Sequence, residues 1–120
     1  MIQKTVLVID DDEGILEAFE VMLESAGYTV LSSSDAELIH SLTPKQLPDV
    51  ILLDVLLSGV DGRDICRKLK SDPLTKNIPI IMVSAHPSAY KTIKQAGADD
   101  FLSKPFEMDE LLAKVAARIS

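Results

Sequence analysis

The sequence predicts a doubly wound α/β fold, a five-stranded parallel sheet wrapped on both faces by five helices. Two patterns carry this reading. Short runs rich in Val, Ile and Leu are apolar on both parities, as strands covered on both faces must be. Between them lie stretches whose apolar residues recur at helical spacing. No sequence unit repeats, so the chain alternates strand and helix and returns by right-handed crossovers.

The first run, Thr5 to Ile9, ends abruptly in Asp10-Asp11-Asp12-Glu13. From Glu13 to Ala26 the residues Ile15, Leu16, Phe19, Met22 and Leu23 share one helical face, Glu17, Glu20 and Glu24 take the other, and Gly27 supplies the stop. Tyr28 to Leu31 reads as a second strand, with Ser32, Ser33 and Ser34 as a loop and a weaker helix over Asp35 to Leu42. Pro44 and Pro48 bracket a loop before the clearest buried strand, Val50 to Leu53, which ends in Asp54. A glycine-bearing loop, Leu57 to Gly62, leads into a helix from Arg63 to Ser71 with Pro73 just beyond it. Pro79 precedes a fourth strand, Ile80 to Val83, which ends in Ser84. A helix from Ser88 to Ala96 is closed by Gly97, and Phe101-Leu102 is a short fifth strand before Lys104-Pro105. The last helix, Met108 to Ile119, carries Leu111, Leu112, Val115, Ala116 and Ile119 on one face.

With 120 residues, the chain reads as one domain, 1–120, and any output module is expected outside it. It is 47% hydrophobic and 26% charged, a globular balance. A formal charge of −7 argues against direct nucleic-acid binding, which rests on clustered Lys and Arg. The apolar runs are too short to cross a bilayer, the first residues lack a signal-peptide pattern, and Cys66 has no partner for a disulfide. A cytoplasmic protein without membrane contact is expected.

In doubly wound sheets ligands sit outside the carboxyl ends of the strands, so the residues that end the strands matter most. Here they are Asp10 and Asp11, Asp54, Ser84 and, just past the fifth strand, Lys104. Crowded carboxylates raise one another's pKa unless a cation joins them, and an all-oxygen cluster suits Mg²⁺, which commonly bridges a carboxylate to a phosphate. A carboxylate in such a place can attack phosphorus and form an acyl phosphate, and Asp54, single and central, is the natural nucleophile. Ser84 and Lys104 offer a hydroxyl and a cation to the added oxygens. Alone, an Asp run is ordinarily a solvated helix start, and a lone Asp after a strand is a turn or cap. Their joint placement on one rim is what favours chemistry.

Val-Ile-Asp10-Asp11-Asp12, Val50-Ile-Leu-Leu-Asp54 with Gly59-Val-Asp61-Gly62, Ile80-Ile-Met-Val-Ser84-Ala85 and Gly97-Ala-Asp-Asp-Phe101-Leu-Ser-Lys104-Pro105-Phe106 together resemble the receiver domain of response regulators over the whole chain. The resemblance implies a flavodoxin-like sheet of order 2-1-3-4-5. It implies phosphorylation of Asp54 by a histidine kinase or histidine phosphotransfer protein. It also implies Mg²⁺ held by Asp11, Asp54 and the backbone carbonyl of Leu56, with Asp10 acting through water. Lys104 and Ser84 would contact the phosphoryl group, Phe101 would be the aromatic switch, and the Lys104-Pro105 bond is expected to be cis. The signal would pass through the face made by the fourth helix, fifth strand and fifth helix to an effector protein or C-terminal output domain, or to a phosphorylation-dependent dimer. In this reading the chain is no enzyme beyond its own phosphotransfer and slow dephosphorylation.

The chain departs from the family pattern at Ser58, where Pro is common, which predicts a less rigid loop. Its second-helix region also lacks the usual composition. Leu56 and His86 occupy the positions that flank the route of attacking water in this family, and an apolar Leu56 cannot orient water, so a long-lived phosphate is expected. His86 and His40 otherwise read as exposed, Cys66 as a small buried hydrophobe, and Tyr90 as a residue of the partner-facing helix. The alternatives are a Mg²⁺-dependent aspartate-nucleophile phosphatase, whose large cap this length excludes; a flavodoxin-like cofactor binder, which the acidic first loop repels; and a receiver-like module that binds partners without phosphate.

Overall fold

The computed structural model describes residues 3–119. Its main sheet is built from β1 (Thr5–Ile9), β2 (Thr29–Ser33), β3 (Val50–Asp54), β6 (Ile80–Ser84) and β7 (Asp100–Ser103), in the order β2-β1-β3-β6-β7. Every pairing in this sheet is parallel. The order is the expected 2-1-3-4-5, because β4 (Leu56–Leu57) and β5 (Val60–Asp61) form a separate two-stranded antiparallel hairpin. Most of the glycine-bearing loop expected over residues 57–62 thus lies in that hairpin, where Leu57 pairs with Val60 and Leu56 with Asp61. The α-helices are α1 (Glu13–Ser25), α2 (Gly62–Ser71), α3 (Tyr90–Gln95) and α4 (Met108–Arg118).

The strict alternation of the buried strands divides the core into two layers. Leu7, Ile9, Ile51, Leu53, Ile80 and Met82 face one way, where Cys66 and Leu69 of α2 and Ile93 of α3 cover them. Val6, Val8, Val50, Leu52, Ile81 and Val83 face the other way, under Leu16, Phe19 and Leu23 of α1 and Leu111 and Val115 of α4. Cys66 is fully buried, and burial pushes its thiol up to about 11, so it packs as a hydrophobe and is no nucleophile at neutral pH.

Three local expectations are corrected. The region Asp35 to Leu42 is a 3-10 helix over Ala36–Ser41, so the second of the five expected helices is not an α-helix. Asp35 caps its start and Leu42 is already extended, which leaves six residues, too few to propagate an α-helix. The helix expected from Ser88 begins as a 3-10 turn over Pro87–Ala89 and becomes α-helical only at Tyr90. Tyr28 belongs to the stop of α1 and not to β2. Gly27 takes φ 95° and the Tyr28 N–H donates to the Leu23 carbonyl at 3.2 Å, closing the helix before the strand begins. At its other end β2 runs on through Ser32 and Ser33, paired with Val8 and Ile9.

The hairpin is clamped to the end of β3. The Gly62 N–H donates to the Val55 carbonyl at 2.7 Å, and a Cβ at Gly62 would lie 2.0 Å from the Asp54 carbonyl oxygen. The clash is with backbone, which cannot swing away. Gly62→Ala is therefore expected to lower the urea unfolding midpoint by an amount equivalent to about 3 kcal/mol or more. Gly59→Ala, where nothing lies within 4 Å of the added carbon, is expected to cost less, through its φ of 72° alone.

Candidate functional site

The acidic run after β1 splits by role. Asp12 is the N-cap of α1, and its Oδ1 accepts from the N–H groups of Gly14 (2.9 Å) and Ile15 (3.2 Å). The ordinary reading of an Asp run as a helix start thus holds for this residue. Asp10 turns inward at only 1% exposure, and its Oδ1 accepts from the Asp12 N–H at 3.0 Å. Asp11 stays exposed on the rim.

At the neighbouring strand end Asp54 is 8% exposed. One carboxylate oxygen from each of Asp10, Asp11 and Asp54 lies within 4.8 Å of the others. Lys104 reaches across this group, its Nζ donating to Asp10 Oδ2 at 3.1 Å and to Asp54 Oδ1 at 3.5 Å. The Lys104 main chain is fixed too, since its N–H donates to the Ser84 carbonyl at 2.8 Å, and the following bond to Pro105 is cis, as expected.

Burial and the adjacent Asp10 push the Asp54 carboxyl above the ordinary carboxylate range, and Lys104 only partly offsets them. The Asp11 carboxyl is held below that range, chiefly by the hydroxyl of Ser58, which donates to Asp11 Oδ2 at 2.7 Å. Three clustered carboxylates with no sulfur or imidazole among them suit a hard divalent cation, so the residues present fit Mg²⁺.

Of the other residues singled out in the sequence, Ser84 is buried at the end of β6, 2% exposed, but its hydroxyl is engaged with its own loop. It accepts from the His86 N–H at 3.0 Å. Phe101 lies away from the carboxylates, half-buried on β7 with its ring edge-on to Tyr90 at 5.6 Å. Leu56 opens the hairpin and is 57% exposed, and only its main-chain carbonyl offers the site a ligand atom. His86 and His40 are exposed, and His40 lies 3.9 Å from Glu37. Two features were not anticipated. One is the Ser58–Asp11 bond, which joins residues 47 apart. The other is the cap of α2, where Asp61 accepts from the Arg63 N–H and side chain while Arg63 reaches Thr92 of α3 at 2.9 Å.

The raised Asp54 carboxyl has a consequence for stability. The native state binds this proton more tightly than the unfolded chain, so the penalty is present in full above the raised value and fades as pH falls through it toward the ordinary Asp range. Asp54→Asn is therefore expected to raise the thermal midpoint in metal-free buffer at pH 7 by a few degrees, with the gain shrinking by pH 4. Scanning calorimetry of both proteins across that range checks it.

This arrangement has close parallels. Residues 6–116 match the family model of the response regulator receiver domain. The chain is 41% identical over 119 residues to the phosphate regulon transcriptional regulatory protein PhoB of Pseudomonas aeruginosa, covering 98% of this chain and 52% of that protein. It spans about half the length of that relative. Among solved structures it is similar to the chemotaxis protein CheY4 of Vibrio cholerae (TM-score 0.88, 27% identity, 98% of this chain and 100% of that one). It is also similar to the receiver domain of a sensor histidine kinase from Pseudomonas aeruginosa PAO1 (TM-score 0.85, 28% identity, 97% of each), which has a magnesium ion coordinated in its active-site cleft. With the five-stranded order and the carboxylate rim both in place, the chain belongs to the receiver domain family of two-component response regulators.

Proposed function

We infer that residues 1–120 act as a phosphorylation switch whose acceptor is Asp54. The observation that carries this reading is the carboxylate rim itself: Asp54 beside Asp10 and Asp11, with Lys104 spanning Asp10 and Asp54. A carboxylate oxygen of Asp54 attacks the phosphorus of a phosphohistidine on a kinase or phosphotransfer protein. The P–N bond breaks, an acyl phosphate forms, and the imidazole leaves with a proton. Mg²⁺, when bound by Asp11, Asp54 and the Leu56 carbonyl with Asp10 assisting through water, supplies the charge neutralisation that lets two anionic groups meet.

The chain's own residues do the rest. Lys104 already lies within reach of Asp54 and exchanges its bond to Asp10 for one to a phosphoryl oxygen. Ser84, one strand away, gives up its loop contact to donate its hydroxyl. About two added negative charges are thereby matched by donors that were previously engaged elsewhere. Phe101 takes up space vacated as Ser84 moves, which alters the face formed by α3, β7 and α4. That face then engages an effector protein, an output domain or a second phosphorylated copy. The setting proposed is the cytoplasm. Among the described residues no helix is long and apolar enough to cross a membrane.

The test is incubation with acetyl phosphate and Mg²⁺, read by intact mass. One phosphoryl adduct is expected on the wild type and none on Asp54→Asn. No adduct on the wild type, or an undiminished one on the variant, would sink the assignment. Since the exposed Leu56 side chain offers attacking water no partner, the adduct is also expected to outlast that of Leu56→Glu several-fold when both are followed after donor removal.

A further inference from the structure

The three rim carboxylates are not held alike. Asp10 is fixed by burial, by the Asp12 N–H and by Lys104, and Asp54 is fixed by burial and by Lys104. Asp11 is exposed, and among the described residues its carboxylate has one side-chain partner, the Ser58 hydroxyl at 2.7 Å. Left to itself, an exposed Asp side chain samples several rotamers and must surrender them to bind a cation.

Ser58 is well placed to limit that freedom. It sits in the turn of the β4–β5 hairpin, next to Gly59, whose φ of 72° allows the tight reversal. One side of the hairpin is anchored by Leu57 against the core and the other by the Gly62 N–H on the Val55 carbonyl. The hydroxyl therefore reaches an exposed carboxylate from a backbone that is anchored on both sides. A neutral donor occupies one acceptor position on one oxygen, and an ionised carboxylate offers about four, so the bond leaves room for a cation.

We propose that Ser58 is a positioning residue for Mg²⁺: its hydroxyl holds the Asp11 carboxylate in a cation-ready orientation and joins the β4–β5 hairpin to the metal site. This rests on the reading of Asp11 as a metal ligand given above. Ser58 does not touch the cation or the phosphoryl group. It acts through Asp11, as partners that orient a metal's ligands commonly do.

The test is titration of the full chain with MgCl₂ at constant ionic strength, followed by amide NMR shifts, for wild type, Ser58→Ala and Ser58→Thr. Ser58→Ala is expected to raise the dissociation constant about tenfold, the low end for a partner that orients a metal's ligand, and Ser58→Thr, which keeps the hydroxyl, to stay within about twofold of wild type. The metal-free thermal midpoints are expected to be alike, because the position is exposed. Equal affinity in Ser58→Ala overturns the proposal. Tighter binding also overturns it, by showing that the hydroxyl competes with the cation, and so does a Ser58→Thr variant as weak as Ser58→Ala. A wild type that binds no Mg²⁺ removes the functional reading itself, an outcome distinct from a wild type that binds and variants that do not differ.

Discussion

The Lys104 ammonium sits between Asp10 and Asp54, and the rest of the site is arranged around that contact. Two buried carboxylates at one sheet rim are costly, since burial removes their hydration and proximity adds repulsion. A single cation on a flexible stem offsets part of this and leaves Asp54 under-compensated, as the upward displacement of its carboxyl indicates. Lys104 can make the contact because it lies directly after β7 and its main-chain N–H is tied to the end of β6. In the proposed cycle it is a placeholder, a positive charge that rests on Asp10 until phosphate arrives and then moves a short way within reach of Asp54.

Such a rim requires a parallel sheet whose strands stop at one level. The register delivers this: Ile9 pairs with Leu53, Asp54 with Val83, and Ser84 with Ser103, so the residue after each buried run emerges on the same edge. The edge is then closed by a short two-stranded hairpin that depends on the glycine at its tip and the one just after it. Gly62 lets the return strand pass against the Asp54 carbonyl, and Gly59 turns the tip so that Ser58 meets Asp11. The same hairpin ends in Asp61, whose carboxyl is held below the ordinary range by the Arg63 side chain. Arg63 in turn bonds Thr92. A continuous set of polar contacts therefore runs from the loop after Asp54 to α3.

The central strands and the acidic rim were legible in the sequence because burial on both faces leaves an unmistakable apolar run, and because the next residue after such a run must lie at the strand end. Asp10, Asp54 and Ser84 could be placed this way, and Asp11 and Lys104 one residue further on. Elements governed by local competition were less legible. Whether Ala36–Ser41 winds as an α- or a 3-10 helix turns on six residues between a cap and an extended Leu42, where the apolar pattern is the same for both. Tyr28 is apolar enough to read as strand, yet the main-chain bond to Leu23 assigns it to the helix stop. The partner of Asp11 could not be read at all, since a serine in a turn carries no sign of the distant residue its hydroxyl will find. The resemblance to known receivers pointed to Ser58 only as a missing proline.

The claim that Lys104 is a displaceable counter-ion is tested most directly by the Lys104 Nζ to Asp10 Oδ2 separation in a crystal of this chain grown with Mg²⁺ and beryllium trifluoride, a stand-in for the phosphoryl group. The predicted result is trifluoride on Asp54, with the Lys104 amine bonded to fluoride and out of hydrogen-bonding reach of Asp10. Trifluoride on another carboxylate, or a Lys104 amine still seated between Asp10 and Asp54 at its present 3.1 Å and 3.5 Å, would contradict it.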